Sequence, residues 1–182
     1  FVPGCDSGVG SRGDGTGVRG LNSPNEILSN PYVGDLIEMV NNYGYSPRLN
    51  RGTNPPVISG RYSIGGEQFY PLSGPLAPGS FRWSNQTEDD HINTDYEQLT
   101  QTGSNVLGEI IRGDGNRFTV YSILNVSESG CSERAIFIFD GTQNSSGDVE
   151  GLYMGTPAKT PECFAPSAGA VYLSLVGPEK VI

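Results

Sequence analysis

The later two-thirds of the chain alternate apolar and polar residues with the two-residue period of a β-strand. From Asn54 onward, short runs of this kind begin about every 12 residues, and Gly, Pro, Asn and Asp lie between them. No pattern of helical period separates the runs, so a parallel α/β sheet is not expected. The pattern predicts an antiparallel β-barrel or sandwich of about eight strands. The predicted segments are 57–64, 68–72, 80–83, 92–99, 106–111, 117–126, 134–139, 149–154 and 170–176.

Three of these segments carry a stronger signal. Segments 106–111 and 117–126 are joined by Arg112-Gly-Asp-Gly-Asn116, a composition typical of a hairpin turn. Segment 117–126 has Val120 on one face and Tyr121 on the other, and Ala135–Phe139 is apolar on both faces, as in a central strand.

Helical signals come before the strands. Ser23-Pro-Asn-Glu26 has the pattern of a capping box, but Pro31 limits that helix to one short turn. A second helix is predicted over residues 31–42, because its apolar residues form one stripe at the helical period and Gly44 follows as a terminator. We expect one amphipathic helix packed on the sheet.

Residues 1–22 contain seven glycines and almost no apolar periodicity, which indicates an extended Gly-rich arm. The predicted domain therefore covers residues 23–182. An arm of this composition becomes ordered only if a neighbouring subunit or the domain's own surface holds it. The chain begins at Phe1 and not at Met, so we expect either a processed product or a trimmed chain.

The net charge of the chain is −9. Proteins that bind nucleic acids or anionic membranes usually present a basic surface, so neither is an expected partner. No apolar run approaches the ~20 residues that a transmembrane helix requires.

The chain has three cysteines. Cys131 and Cys163 flank the C-terminal strands, and a disulfide between them would contribute about 4 kcal/mol in the loop-entropy model. The alternative is a pair of buried thiols. Cys5 follows Val2-Pro-Gly, a poor lipobox, and is a candidate for lipidation. Lipobox cleavage would make the cysteine the first residue, whereas four residues precede Cys5.

The densest group of ionisable residues is Glu88-Asp-Asp-His91 with Asp95 nearby. Asp89, Asp90 and Asp95 are candidate ligands for a hard cation such as calcium, although their spacing matches no calcium-binding loop. A solvated loop is the other interpretation, and we predict no metal or other cofactor. No nucleophile motif accompanies the single histidine, so we predict no catalytic residues and no enzyme activity, with a carboxylate-based hydrolase left open.

Aromatic residues supply candidates for a ligand cavity. If the barrel is hollow, Tyr62, Trp83, Tyr121 and Phe137 are the first candidates for lining it, whereas ordinary core packing is the alternative.

Three segments carry a family resemblance. A family of bacterial exported proteins, many of them predicted lipoproteins, is similar to this chain at Tyr43-Gly-Tyr-Ser-Pro47, Asn54-Pro-Pro-Val-Ile-Ser-Gly-Arg-Tyr62 and Arg112-Gly-Asp-Gly-Asn-Arg-Phe-Thr-Val-Tyr121. The segment that ends at Tyr62 is also similar to the G-x-W strand of calycins such as lipocalins, with Tyr62 at the Trp position. The resemblance implies a calycin-like barrel, structural motifs and no catalytic residues.

These observations lead to three functional hypotheses. The first is an exported or cell-surface interaction module, a self-assembling extracellular subunit whose arm docks on a neighbour. The second is a lipocalin-like carrier of a small apolar ligand. The third is the hydrolase.

Overall fold

The computed structural model describes residues 23–87, 91–95, 105–128, 130–161 and 163–178. The predicted arm, residues 1–22, lies outside these ranges. Two helices come first, α1 (Asn25–Leu28) and α2 (Pro31–Asn42). The strands are β1 (Thr53–Asn54), β2 (Gly60–Tyr70), β3 (Gly74–Pro75), β4 (Gly79–Ser84), β5 (Asn93–Asp95), β6 (Asn105–Asp114), β7 (Arg117–Glu128), β8 (Cys131–Gln143), β9 (Val149–Pro157) and β10 (Ser167–Pro178).

All ten strands belong to one curled sheet with the order β1-β6-β7-β8-β9-β10-β2-β4-β5, and β3 pairs with β2 beside this path. The last strand of the path, β5, contacts β6, the second strand of the path, and there the Thr94 N–H donates to Glu109 Oε1 at 2.5 Å. The predicted all-β class, a barrel or sandwich, is therefore confirmed, and the curled sheet forms a half-barrel. One detail differs from the antiparallel expectation, because the two-residue strand β1 pairs with β6 in parallel.

The predicted helices are also confirmed. At the start of α1 one half of the predicted capping box is present, since the Ser23 N–H donates to Glu26 Oε1 at 3.1 Å, whereas Ser23 Oγ accepts from the Asn25 N–H, also at 3.1 Å, and not from Glu26. The longer helix covers the predicted residues 31–42, and Gly44 follows it with a φ of 93°. Its apolar stripe packs on the sheet, and Val40 is completely buried.

The sheet is buried on both faces. Its concave face encloses an inner core that includes Trp83, Val120 and Phe139. Its convex face is covered by the helices and carries an outer core that includes Tyr121, Ile136 and Ile138. Neighbouring residues along one strand belong to different cores because side chains alternate across a pleated sheet.

Two predicted strands, 57–64 and 68–72, are wrong as separate elements. Residues 60–64 and 68–70 of these segments belong to the single long strand β2, which runs from Gly60 to Tyr70. Gly65 and Gly66, which lie between the two predicted segments, both pair with β10. At Gly66 the φ is 131° and a Cβ would lie 2.1 Å from the Ala170 carbonyl oxygen, so glycine permits close contact between strands here.

The segment after α2 is attached to the convex face by the carboxylate of Asp140. Asp140 accepts hydrogen bonds from the Arg48 N–H at 2.5 Å and from Thr119 Oγ1 at 2.8 Å. The Tyr121 hydroxyl donates to the Asn50 carbonyl oxygen at 2.7 Å. These bonds serve the packing of the helical layer on the sheet.

The predicted disulfide between Cys131 and Cys163 is present, and it joins the start of β8 to the segment before β10. Nearby, the buried Glu133 accepts hydrogen bonds from the backbone N–H groups of Cys163 and Phe164 at 2.6 and 3.1 Å. No helix in the described ranges has the length and apolarity of a membrane span.

Replacing both half-cystines, as in Cys131→Ala/Cys163→Ala, should lower the free energy of unfolding by about 4 kcal/mol. Without the cross-link the unfolded chain gains conformational entropy and becomes more favourable. Urea denaturation of the variant and the unmodified protein measures the difference. Equal midpoints and equal slopes for the two proteins would contradict the prediction.

Candidate functional site

The concave side of the sheet contains a cavity of about 300 Å³ that is partly open to solvent. Most of its lining is hydrophobic. The aromatic lining residues are Phe81, Trp83, Phe137, Phe139 and Tyr153, and the aliphatic ones are Ile64, Leu76, Ala77, Val120, Val171 and Leu173. Ser80 and Thr94 add hydroxyl groups. None of these lining residues carries a charge.

Trp83 lies at the centre of the aromatic wall. Its ring is close to perpendicular to Phe81 and to Phe118, with centroid distances of 4.7 and 5.7 Å. It also meets Tyr62 and Phe139 at 5.4 and 5.5 Å in edge-on geometry. Edge-to-face contacts of this kind are favourable for aromatic pairs, so Trp83 packs against four rings at once.

The outer part of the cavity is formed by half-buried residues. Phe137 and Tyr153 stack with centroids 5.9 Å apart and an interplanar angle of 3°. The Tyr153 hydroxyl donates to Gln68 Oε1 at 3.0 Å, and burial raises the pKa of this phenol. Leu76 lies in the segment between β3 and β4, where its N–H donates to the Gly66 carbonyl oxygen at 3.0 Å.

A buried polar cluster lies where β5 meets β6. Glu109, only 4% exposed, accepts hydrogen bonds from the Thr94 N–H and Thr94 Oγ1, both at 2.5 Å, and from Ser122 Oγ at 2.7 Å. Burial raises the pKa of Glu109, while the three hydrogen bonds act in the opposite direction because they stabilise the carboxylate. Thr94 connects this cluster to the cavity, since it is also one of the lining residues.

The sequence-predicted cavity residues separate into three groups. Trp83 and Phe137 line the cavity, as expected. Tyr62 belongs to the inner core behind the lining, where its hydroxyl donates to the Ile58 carbonyl oxygen at 2.6 Å and burial raises its pKa to about 12. The prediction for Tyr121 is wrong, because its side chain lies on the convex face in the outer core. Neighbouring side chains of a strand point to different faces, and that of Val120 points to the concave face.

The remaining candidates do not meet at this site. Asp95 pairs with Arg82 at 3.3 Å on the exposed surface, and Asp89 and Asp90 lie outside the described residues, as does Cys5. Within the described ranges, no group of three or more His, Cys, Asp or Glu side chains could hold a metal ion.

Sequence reasoning missed Thr94 and Glu109. A signal for Glu109 was present, because the acid stands inside the otherwise apolar run Val106-Leu-Gly-Glu-Ile-Ile111. A buried carboxylate in a strand requires hydrogen-bond donors from a neighbouring element. The sequence could not identify the donor, since Thr94 reaches Glu109 only when the curled sheet brings β5 to β6.

The chain was compared with protein-family models, with curated proteins and with solved structures, and nothing matched in any of the three comparisons.

The raised pKa of Glu109 predicts a pH dependence of stability. A carboxyl group whose pKa is higher in the folded state stabilises the fold most at low pH, and this contribution is lost as pH rises from the ordinary value of 4.5 through the folded-state pKa. The stability of the unmodified protein relative to Glu109→Gln should therefore fall as pH rises above about 4.5. Denaturant titrations of both proteins across that range measure it, and a constant or growing difference would refute the prediction.

Proposed function

We propose that this protein is a carrier or binding protein for a small, largely apolar molecule, which occupies the concave side of the barrel. The observation that carries the proposal is the cavity of about 300 Å³ with its hydrophobic, uncharged lining. Ligand pockets in proteins begin at about this size, and a dry apolar cavity of roughly half that volume binds benzene.

The lining determines the class of ligand. A charged molecule would lose its hydration without finding an opposite charge among the lining residues. The free energy of this desolvation is far larger than the free energy gained from hydrophobic contact. An uncharged molecule with a hydrocarbon chain or ring would gain roughly 25 cal/mol for each Å² of apolar surface that it buries. Five aromatic residues also offer ring faces and edges to such a molecule.

The other two hypotheses gain no support from the described residues. The two buried carboxylates with raised pKa, Glu109 and Asp140, lie on opposite faces of the sheet and do not form a pair for hydrolytic chemistry. An interaction module that docks through residues 1–22 stays a prediction from the sequence, as does export from the cell.

A neutral, environment-sensitive dye tests the proposal directly. N-phenyl-1-naphthylamine should bind with one-to-one stoichiometry, with enhanced dye emission and a change in the emission of Trp83, the single tryptophan. Val171→Phe should weaken binding at least tenfold, because the larger side chain occupies the space that the dye needs.

Val176→Phe is the matched control. It is the same substitution on the same strand, but Val176 is 65% exposed and lies outside the cavity lining. This variant should bind the dye as the unmodified protein does. Equal weakening by both substitutions, or no binding of the dye by the unmodified protein, would refute the carrier function.

A further inference from the structure

Two polar residues stand side by side on the cavity wall. Trp83 and Thr94 are directly opposite each other in the antiparallel pair β4–β5, and both line the cavity. Directly opposed residues on one face of a sheet have Cβ atoms about 5 Å apart. One small polar group of a ligand at this point of the wall can therefore lie near both residues.

Thr94 offers a hydrogen-bond acceptor to the cavity. An ionised carboxylate only accepts hydrogen bonds, so the proton of Thr94 Oγ1 is directed toward Glu109 Oε2, 2.5 Å away. The hydroxyl oxygen keeps lone pairs that are available to a ligand. Glu109 thus acts as a positioning residue, because it fixes the direction in which Thr94 can donate.

Trp83 offers a hydrogen-bond donor. Its side chain is 2% exposed, and its indole N–H has no hydrogen-bond partner among the described residues. Buried indole N–H groups usually have a partner, so an unpartnered one beside a cavity points to a missing acceptor. The indole nitrogen itself is shielded from solvent, so a ligand reaches it only if the ring turns.

We propose that the ligand of this cavity carries a hydroxyl group, an alcohol or a phenol, which accepts a hydrogen bond from Trp83 and donates one to Thr94. This inference rests on the proposed carrier function. A hydroxyl matches the site because it is donor and acceptor at once. An ether or a ketone can satisfy only Trp83, and a carboxylate would place a second negative charge beside Glu109.

The test compares three linear molecules of equal chain length: n-heptanol, n-hexyl methyl ether and n-octane. Binding is followed by Trp83 emission at mildly alkaline pH, which favours the ionised form of Glu109. The unmodified protein should prefer the alcohol to the ether by about fivefold, which corresponds to one hydrogen bond of ~1 kcal/mol. Thr94→Val should remove that preference and keep the affinity for octane.

Thr156→Val is the matched control, because Thr156 is a buried threonine whose hydroxyl donates to the Pro157 carbonyl oxygen. It lies opposite Ile136 of the outer core, so this variant should keep the preference for the alcohol. Glu109→Gln gives a second, independent readout. Its amide can donate to Thr94 Oγ1, which frees the threonine proton for the ligand, and the ether should then bind as well as the alcohol.

The indole group gives a separate measurement, because a chain with one tryptophan has one indole ¹H–¹⁵N signal. This signal should move downfield with the alcohol and the ether, but not with octane. Equal binding of alcohol and ether by the unmodified protein, or a preference that survives Thr94→Val, would overturn the hydroxyl assignment while leaving the carrier function intact. Failure of all three molecules to bind would instead overturn the carrier function itself.

Discussion

The structure depends on the burial of one sheet on both of its faces. Side chains alternate across each strand, so every central strand must supply two different apolar surfaces from one sequence. β8 does this with Ile136 and Ile138 on the convex face and Phe137 and Phe139 on the concave face. The helices cover the first surface, and the curvature of the sheet encloses the second, which includes the cavity.

Much of this architecture could be predicted because the local signals agree with the final fold. One half of the capping box, the helix over residues 31–42 and the hairpin around Gly115 are set by short-range interactions, and all three are present. The long strand β2 was predicted as two segments on either side of Gly65 and Gly66. Their role, close packing against β10, is a contact between distant segments that local composition does not report.

The candidate site was only partly predictable for the same reason. Aromatic residues in alternating strands suggested a lined cavity, and Trp83 and Phe137 do line it. Tyr121 was assigned to the wrong face because the alternating pattern of its strand does not say which face is concave. Thr94 and Glu109 come together across a junction that exists only in the curled sheet, so their hydrogen bonds could not be inferred from spacing along the chain.

The pairing of β7 with β8 has a consequence for how this sequence tolerates insertions. Val120 lies opposite Phe139 and Tyr121 opposite Ile138, so the cavity and the helix-packing surface share one register. A slip of one residue would turn the phenylalanines of β8 toward the helices and its isoleucines toward the cavity. Because both surfaces would be lost at once, a single-residue insertion within β8 should be far more damaging than one in the exposed turn at residues 144–146.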